Sequence, residues 1–171
     1  GLGDVEKSKQ DFERVSREAL EQVIRRTKQL TDGPIAVNIM VALSNFKDLV
    51  KTSVREGIKM IVSGAGLPLK LPGDVADDSV NLLPIVSSGR AANLILRTWD
   101  KRFQTTADGL VLEGPLAGAH LGFSYEQLQT PEQYSLEKLL PELLEIIKPF
   151  EDKYGRKIPV IAAGGIYNGK D

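Results

Sequence analysis

The chain has 171 residues, enough for one domain spanning 1–171 with a sizeable core. Its 22 Lys plus Arg against 23 Asp plus Glu leave a net charge of -1, which argues against a nucleic-acid surface and gives no reason to expect electrostatic attachment to a membrane. It has no cysteine, which excludes disulfides and thiolate-held zinc or iron–sulfur centres and fits a reducing, cytoplasmic setting. No apolar run approaches the roughly 18 residues needed to cross a bilayer. The opening Gly1-Leu2-Gly3-Asp4 has neither the charged start nor the apolar core of a signal peptide, and without an initiator methionine it reads as an excerpt or a processed product.

The periodicity predicts a long amphipathic helix over 7–30, with Phe12, Val15, Ala19, Val23 and Ile24 at three- and four-residue steps and Leu20 and Leu30 widening the stripe. Thr31-Asp32-Gly33-Pro34 breaks it, and the apolar run Ile35–Val41 suits a strand buried on both faces. The same grammar then repeats. Asn45 is expected to cap a helix over 46–56 that ends at Gly57. Ile58–Val62 is a second strand and runs into Ser63-Gly64-Ala65-Gly66. After a loop with Pro68, Pro72 and Gly73, Leu82–Val86 is a third, followed by a helix over 89–99. Leu110-Val111-Leu112 is a fourth, and a Gly-rich connection leads from Gly114 to about Ser135. A helix over 136–154 follows, with Pro141 assigned to its first turn, and Ile158–Ala163 is a fifth strand ending in Gly164-Gly165-Ile166.

Buried strands alternating with helices mean βαβ units and a parallel sheet. Five strands fit either a doubly wound open sheet or a (β/α)8 TIM barrel. Nearly every strand here ends in polar or glycine residues: Asn38, Ser63-Gly64, Ser87-Ser88-Gly89, Glu113-Gly114 and Gly164-Gly165. A barrel gathers its active site from many strand ends, whereas an open sheet uses mostly one switch point, so the pattern favours an α/β TIM barrel. A full barrel takes about 250 residues. The chain is therefore expected to be an incomplete barrel of about five βα units, ordered only within a longer protein.

Four motifs can carry chemistry. Gly164-Gly165 after a buried strand lets backbone approach a ligand, and a helix starting near Asn168 would add an anion-binding terminus; the alternative is a plain glycine turn. The loop after the fourth strand holds Glu113, Gly118 and the only histidine, His120, a residue type that exchanges protons near neutral pH; the alternative is a loop histidine held by backbone. Asn38 is a carboxamide inside an apolar strand and needs a partner, in a ligand or in a neighbouring loop. Ser63-Gly64-Ala65-Gly66 lacks the third glycine of a dinucleotide fingerprint, and Ser88 either contacts a ligand or caps the next helix. Asp74, Asp77 and Asp78 could hold a cation but fit a solvated loop better, and Arg97, Trp99 and Lys101-Arg102 fit ordinary packing and a solvated face.

Taken in order, Val37-Asn38-Ile39-Met40, Ser63-Gly64-Ala65-Gly66, Glu113 through Gly122, and Ile158 through Ile166 resemble the nitronate monooxygenase family, formerly called 2-nitropropane dioxygenases and close to FMN-dependent enoyl-acyl-carrier-protein reductases. The resemblance spans essentially the whole chain. It implies an FMN-binding barrel in which these strands are the third to seventh. It also implies an oxidoreductase acting on a small-molecule substrate, a nitronate or related carbon acid, with oxygen, or an NAD(P)H-dependent reductase of enoyl thioesters. Carried over residue by residue, His120 matches the catalytic histidine beside the flavin, Gly164 and Gly165 the phosphate-binding pair, and Asn38 the strand asparagine near the flavin. Ser63, Ser88, Glu113 and Gly118 join the implied FMN-binding set. Ala119, where the family has the second glycine of Gly-Gly-His, and Pro115 are departures that suggest a subgroup. Alone, the segment is expected not to retain FMN.

Overall fold

The computed structural model describes residues 2–75, 77–118 and 120–169. Ala119, whose backbone the departure from Gly-Gly-His made of interest, lies outside them.

Five strands form one sheet: β1 (Val37–Met40), β2 (Met60–Gly64), β3 (Asn81–Val86), β4 (Leu110–Glu113) and β5 (Val160–Ala163). Each pairs in parallel with the next, in the order β1-β2-β3-β4-β5. The order never doubles back, so the sheet has no switch point; a doubly wound sheet reverses, and a (β/α)8 barrel does not. Between the strands run α1 (Leu2–Leu30), α2 (Phe46–Arg55), α3 (Leu71–Asp74), α4 (Gly89–Phe103), α5 (Tyr125–Leu128), a 3-10 turn (Pro131–Tyr134) and α6 (Leu136–Tyr154). The connection after β4 is thus more structured than its glycines suggest. Ser124 starts α5 with a reciprocal capping box to Gln127.

Register decides which strand residues meet which layer. Ile39, Ser63 and Pro84 lie side by side, as do Ile61 and Leu82. This face, with Leu110 and Leu112, packs against Val50 of α2, Ala92, Ile95, Leu96 and Trp99 of α4 and Leu143 and Ile147 of α6 in one buried core. Each such large apolar side chain is worth roughly 1.5–3 kcal/mol relative to exposure. Trp99 is fully buried and its indole N–H donates to the Pro68 carbonyl at 3.0 Å, so it is packing, as its apolar spacing predicts. The opposite face carries Asn38, Val62, Leu83, Ile85, Val111 and Ile161, in the order of the register. In a closed barrel this is the lumen.

Three local expectations are corrected. Asn45 does not cap α2 through its side chain: its backbone, at φ -101° and ψ 19°, is outside the extended region that aims a cap at the first free amides. It is buried instead, and its amide nitrogen has no hydrogen-bond partner. Pro141 is the sixth residue of α6, past the first turn, and Pro149 also lies inside that helix. Buried Leu139, Leu143, Ile147 and Phe150 hold the helix against the lost amide bonds. The predicted stripe of α1 splits. Ile24 is buried and Leu20 packs on the core, while Phe12, Val15, Val23 and Leu30 are exposed. The reason is that α1 contacts α2, to which Arg17–Asp48, Arg25–Glu56 and Arg55–Glu21 also tie it, and the rest of its stripe has nothing to cover among the described residues.

Candidate functional site

The C-terminal ends of β1 to β4 surround a cavity of about 400 Å³. Its walls include Ala65 and Gly66 after β2, Ser87 and Ser88 after β3, Glu113 at the end of β4, and His120 and Gly122 in the next loop. The loop after β2 is drawn in tightly. Ala65 has φ 50° and Gly66 φ 132°, both left-handed, and a Cβ on Gly66 would sit 3.1 Å from Val41. Gly122 lies so close to Ser87 that a Cβ there would collide with the serine hydroxyl. That closeness brings the His120 loop against the end of β3.

His120 is exposed at the rim and so is accessible to a ligand. Glu113 is half-buried, and burial raises its carboxyl pKa above the usual glutamate value. Among the described residues it has no ion pair to offset that burial. Ser88 does what its cap alternative predicts: its hydroxyl accepts from the Ala91 amide at 3.2 Å and starts α4, while the residue also lines the cavity. Gly118 is exposed, with open space where a Cβ would be.

Two residues lie elsewhere than a shared ligand site would ask. Ser63 is fully buried on the helix side of the sheet, where its hydroxyl donates to the Ile39 carbonyl at 3.0 Å. Strand alternation turns it away from the lumen, so the position has only backbone to offer a cofactor. Asn38 is exposed on the lumen face but is not part of the cavity wall.

Gly164 and Gly165 follow β5 at φ 100° and 79°, conformations that favour glycine. They line a separate, more apolar cavity of about 560 Å³, shared with Pro115, Leu116 and residues of α6. The two sites touch through the β4 loop: a Cβ on Gly164 would stand 2.8 Å from the Ala117 amide nitrogen, and one on Gly165 3.0 Å from the Leu116 Cβ. The double glycine therefore seats the chain that leads to His120. No helix begins between Gly164 and Gly169, and residues 170–171 lie outside the described part.

The acidic loop is occupied by protein partners. Asp74 pairs with Lys47 at 3.2 Å, and Asp77 accepts from Lys59 and Ser79. Among the described residues no three carboxylate, histidine or cysteine side chains gather as metal ligands. No described helix is long and apolar enough to cross a membrane. Sequence reasoning missed Ala65, whose left-handed backbone has no signature in an alanine, and Gly122, whose only hint is its place two residues after His120.

Five parallel strands in sequence order, with loops and glycines gathered at their C-terminal ends, define a (β/α)8-type enzyme scaffold. A family model described as nitronate monooxygenase matches residues 14–171, and the chain belongs to that family. Its members are flavin enzymes, typically binding FMN. A curated relative from Rhodococcus jostii (strain RHA1), (3aS,4S,5R,7aS)-5-hydroxy-7a-methyl-1-oxo-octahydro-1H-indene-4-carboxyl-CoA dehydrogenase, is 27% identical over 151 residues, covering 88% of this chain and 35% of that protein. The protein of the same name from Mycobacterium tuberculosis is 26% identical, with 88% and 36% covered. FabK from Thermotoga maritima superposes with a TM-score of 0.70 at 27% identity, covering 90% of this chain and 41% of that one. Nitroalkane oxidase from Streptomyces ansochromogenes, at 18% identity and a TM-score of 0.69 over 90% of this chain and 49% of that one, shares the fold. These are TIM-barrel enzymes, and the five units correspond to about half of such a barrel. The chain spans about a third of the curated relatives' length.

Proposed function

We propose that this chain forms the middle of an FMN-dependent, cytoplasmic oxidoreductase that oxidises alkyl nitronates or related carbon acids with oxygen, with His120 as general base. The observation that carries it is that the only histidine of the chain and the half-buried Glu113 share one cavity at the strand ends, in a chain of this family. With a neutral nitroalkane the imidazole at the rim accepts the proton of the carbon beside the nitro group and leaves the nitronate; with a preformed nitronate it holds the anion instead. Burial favours the uncharged form of Glu113, which does not repel an anionic nitronate as a carboxylate would.

The residues fit the flavin at the level the backbone allows. Gly164 and Gly165, both at positive φ, present a side-chain-free turn that suits its phosphate. The exposed carboxamide of Asn38 on the lumen face suits the ring system, and Ser63, Ser88 and Gly118 contribute backbone or cap positions around it. Bound FMN supplies the electron-accepting chemistry that no side chain here provides. Glu113 and His120 then hold and move protons beside it.

The test uses the complete protein. His120→Ala is expected to keep its yellow flavin and lose turnover with a nitroalkane or nitronate by about 100-fold or more. Unchanged turnover removes His120 from the mechanism, and a colourless wild type leaves only a non-redox phosphate-ligand barrel. A second reading, an NAD(P)H-dependent reductase of enoyl thioesters, is favoured by the two relatives whose names specify a CoA thioester. Anaerobic reduction of the flavin by NADH, followed by reoxidation with a crotonyl thioester, separates the two.

A further inference from the structure

Ser87 directly follows β3 and lines the cavity together with Glu113 and His120. The register pairs Ile85 with Val111 and Val86 with Leu112, so the next pair along the two strands is Ser87 and Glu113. Alternation puts both on the lumen face, two residues beyond Ile85 and Val111. β3 lies between β2 and β4, and β4 between β3 and β5. Further barrel units therefore join at β1 and β5 and leave this pair as neighbours.

What sets the Ser87 hydroxyl apart is that the protein does not use it. The other described serines that are buried or half-buried all have partners. Ser16 donates to the Phe12 carbonyl, Ser53 to that of Leu49 and Ser63 to that of Ile39. Ser88 accepts from the Ala91 amide, and Ser135 holds down the Glu137 carboxyl pKa. Ser87 is half-buried and has no hydrogen bond to any described residue. It does not serve Glu113 either, whose raised pKa comes from burial alone. Gly122 keeps the hydroxyl open: a Cβ there would stand 2.4 Å from Ser87 Oγ, so a side chain at 122 would cover or displace it.

The wall thus brings a base, His120, and an unused donor to one space. Taking a proton from the carbon of a nitroalkane drives negative charge onto the nitro oxygens, and such charge is stabilised by a donor already in place. We propose that Ser87 is the oxyanion donor of this site, its hydroxyl hydrogen-bonded to the substrate oxygen on which negative charge develops. The carbon–hydrogen bond breaks, the proton goes to His120, and the electron pair forms the carbon–nitrogen double bond as the charge settles on the nitro oxygens. Ser87 keeps its own proton throughout. In the enoyl-thioester reading, with NAD(P)H as the reductant, reduction of the double bond builds the same charge on the thioester carbonyl oxygen. The assignment rests on the oxidoreductase reading and adds to it the group that holds the oxygen.

The test compares wild type and Ser87→Ala as complete, flavin-loaded proteins, with nitroethane and with preformed ethylnitronate. With nitroethane the charge appears only on the way to the transition state, so kcat is expected to fall by about 100-fold with KM changed far less. With ethylnitronate the anion is present from the start, and the loss should appear mainly as a raised KM. Gly122→Ala, at a backbone position without positive φ, covers the same hydroxyl and should reproduce the split; it also serves if Ser87→Ala misfolds. Equal kinetics, or losses that do not divide between kcat and KM in this way, overturn the assignment and leave the oxidoreductase reading standing. If only ethylnitronate is turned over, an unchanged KM overturns it. If neither nitro compound is turned over, a crotonyl thioester takes their place, and an unchanged kcat in Ser87→Ala overturns it. A wild type inert toward all of these overturns the reading and the assignment together.

Discussion

The two ends of the same five strands are built on opposite principles. At the N-terminal end Asp108 and Asp77 are both spent. Asp108 accepts from the Leu82 amide at 2.8 Å and pairs with Arg156, which also donates to the Thr106 carbonyl at 2.8 Å. Asp77 accepts from Lys59 at 3.0 Å and from the Ser79 amide at 2.9 Å. At the C-terminal end Glu113 is half-buried without a counter-ion among the described residues, His120 stands at an open rim, and Ala65 holds a left-handed backbone. One end closes its polar groups to join strand to strand. The other leaves Glu113 and His120 without an ion-pair partner among the described residues, at some cost in stability, as expected where a barrel keeps its chemistry.

The division is broken most sharply from the N-terminal end. Asp108→Ala removes the acceptor of a backbone amide and the counter-ion of Arg156 together. It is expected to lower the unfolding free energy of the complete protein by about 2–3 kcal/mol, measured by urea denaturation, with turnover per folded molecule unchanged. A large loss of turnover at normal stability would mean that the two ends are coupled.

Gly164→Ala attacks the junction between the double glycine and the His120 loop. Alanine at φ 100°, with its Cβ 2.8 Å from the Ala117 amide nitrogen, is expected to cost about 1–2 kcal/mol. Because the strain falls on the loop after β4, flavin retention on gel filtration should fall more than the melting temperature does. Equal retention would detach Gly164 from the proposed phosphate site.

The ends should also differ in the sign of their pH dependence. Partners hold the Asp77 carboxyl down to about 2, chiefly through hydrogen bonds from Ser79 and then Lys59. Its stabilisation is present above the ordinary aspartate pKa and is lost as pH falls from there through about 2. Burial raises the Glu113 pKa, so the folded state binds a proton more tightly than the unfolded chain. Glu113 therefore stabilises below the ordinary glutamate range and loses that contribution as pH rises through its raised value. Glu113→Gln should flatten the decline in melting temperature above the ordinary glutamate range and leave the acid limb as it was. An unchanged upper limb would show that Glu113 is solvated in the complete protein.

What was legible in the sequence followed from local chemistry. The five strands are short apolar runs between helix breakers, and a barrel could be preferred to an open sheet because polar or glycine residues close nearly every strand and not one alone. Ser88 and Gly57 announce a cap and a stop by residue type. The parity of a strand was not legible: Ser63 and Asn38 both read as polar residues near strand ends, and only the pairing of Ile39 with Ser63 and Asn38 with Val62 sends them to opposite faces. The use of Asp108 depends on Arg156, 48 residues on, a separation that leaves no periodic trace. The stripe of α1 was read correctly as apolar, but which part of it is covered depends on its neighbours.

The smallest expected effect is at Ala65, and it tests whether strain at the mouth is intrinsic to the loop. An L-residue in the left-handed region costs about 1–2 kcal/mol, and glycine would relieve that cost. Glycine also raises the entropy of the unfolded chain, which takes back about 0.4–1 kcal/mol. The difference leaves Ala65→Gly stabilising by about 0.5 kcal/mol, within reach of paired denaturation curves. No residue elsewhere needs to move, since the substitution only removes a methyl group from the cavity wall. Destabilisation of about 1 kcal/mol instead would mean that this methyl packs against something in the complete barrel, and that the cavity at the strand ends is narrower there than in these five units.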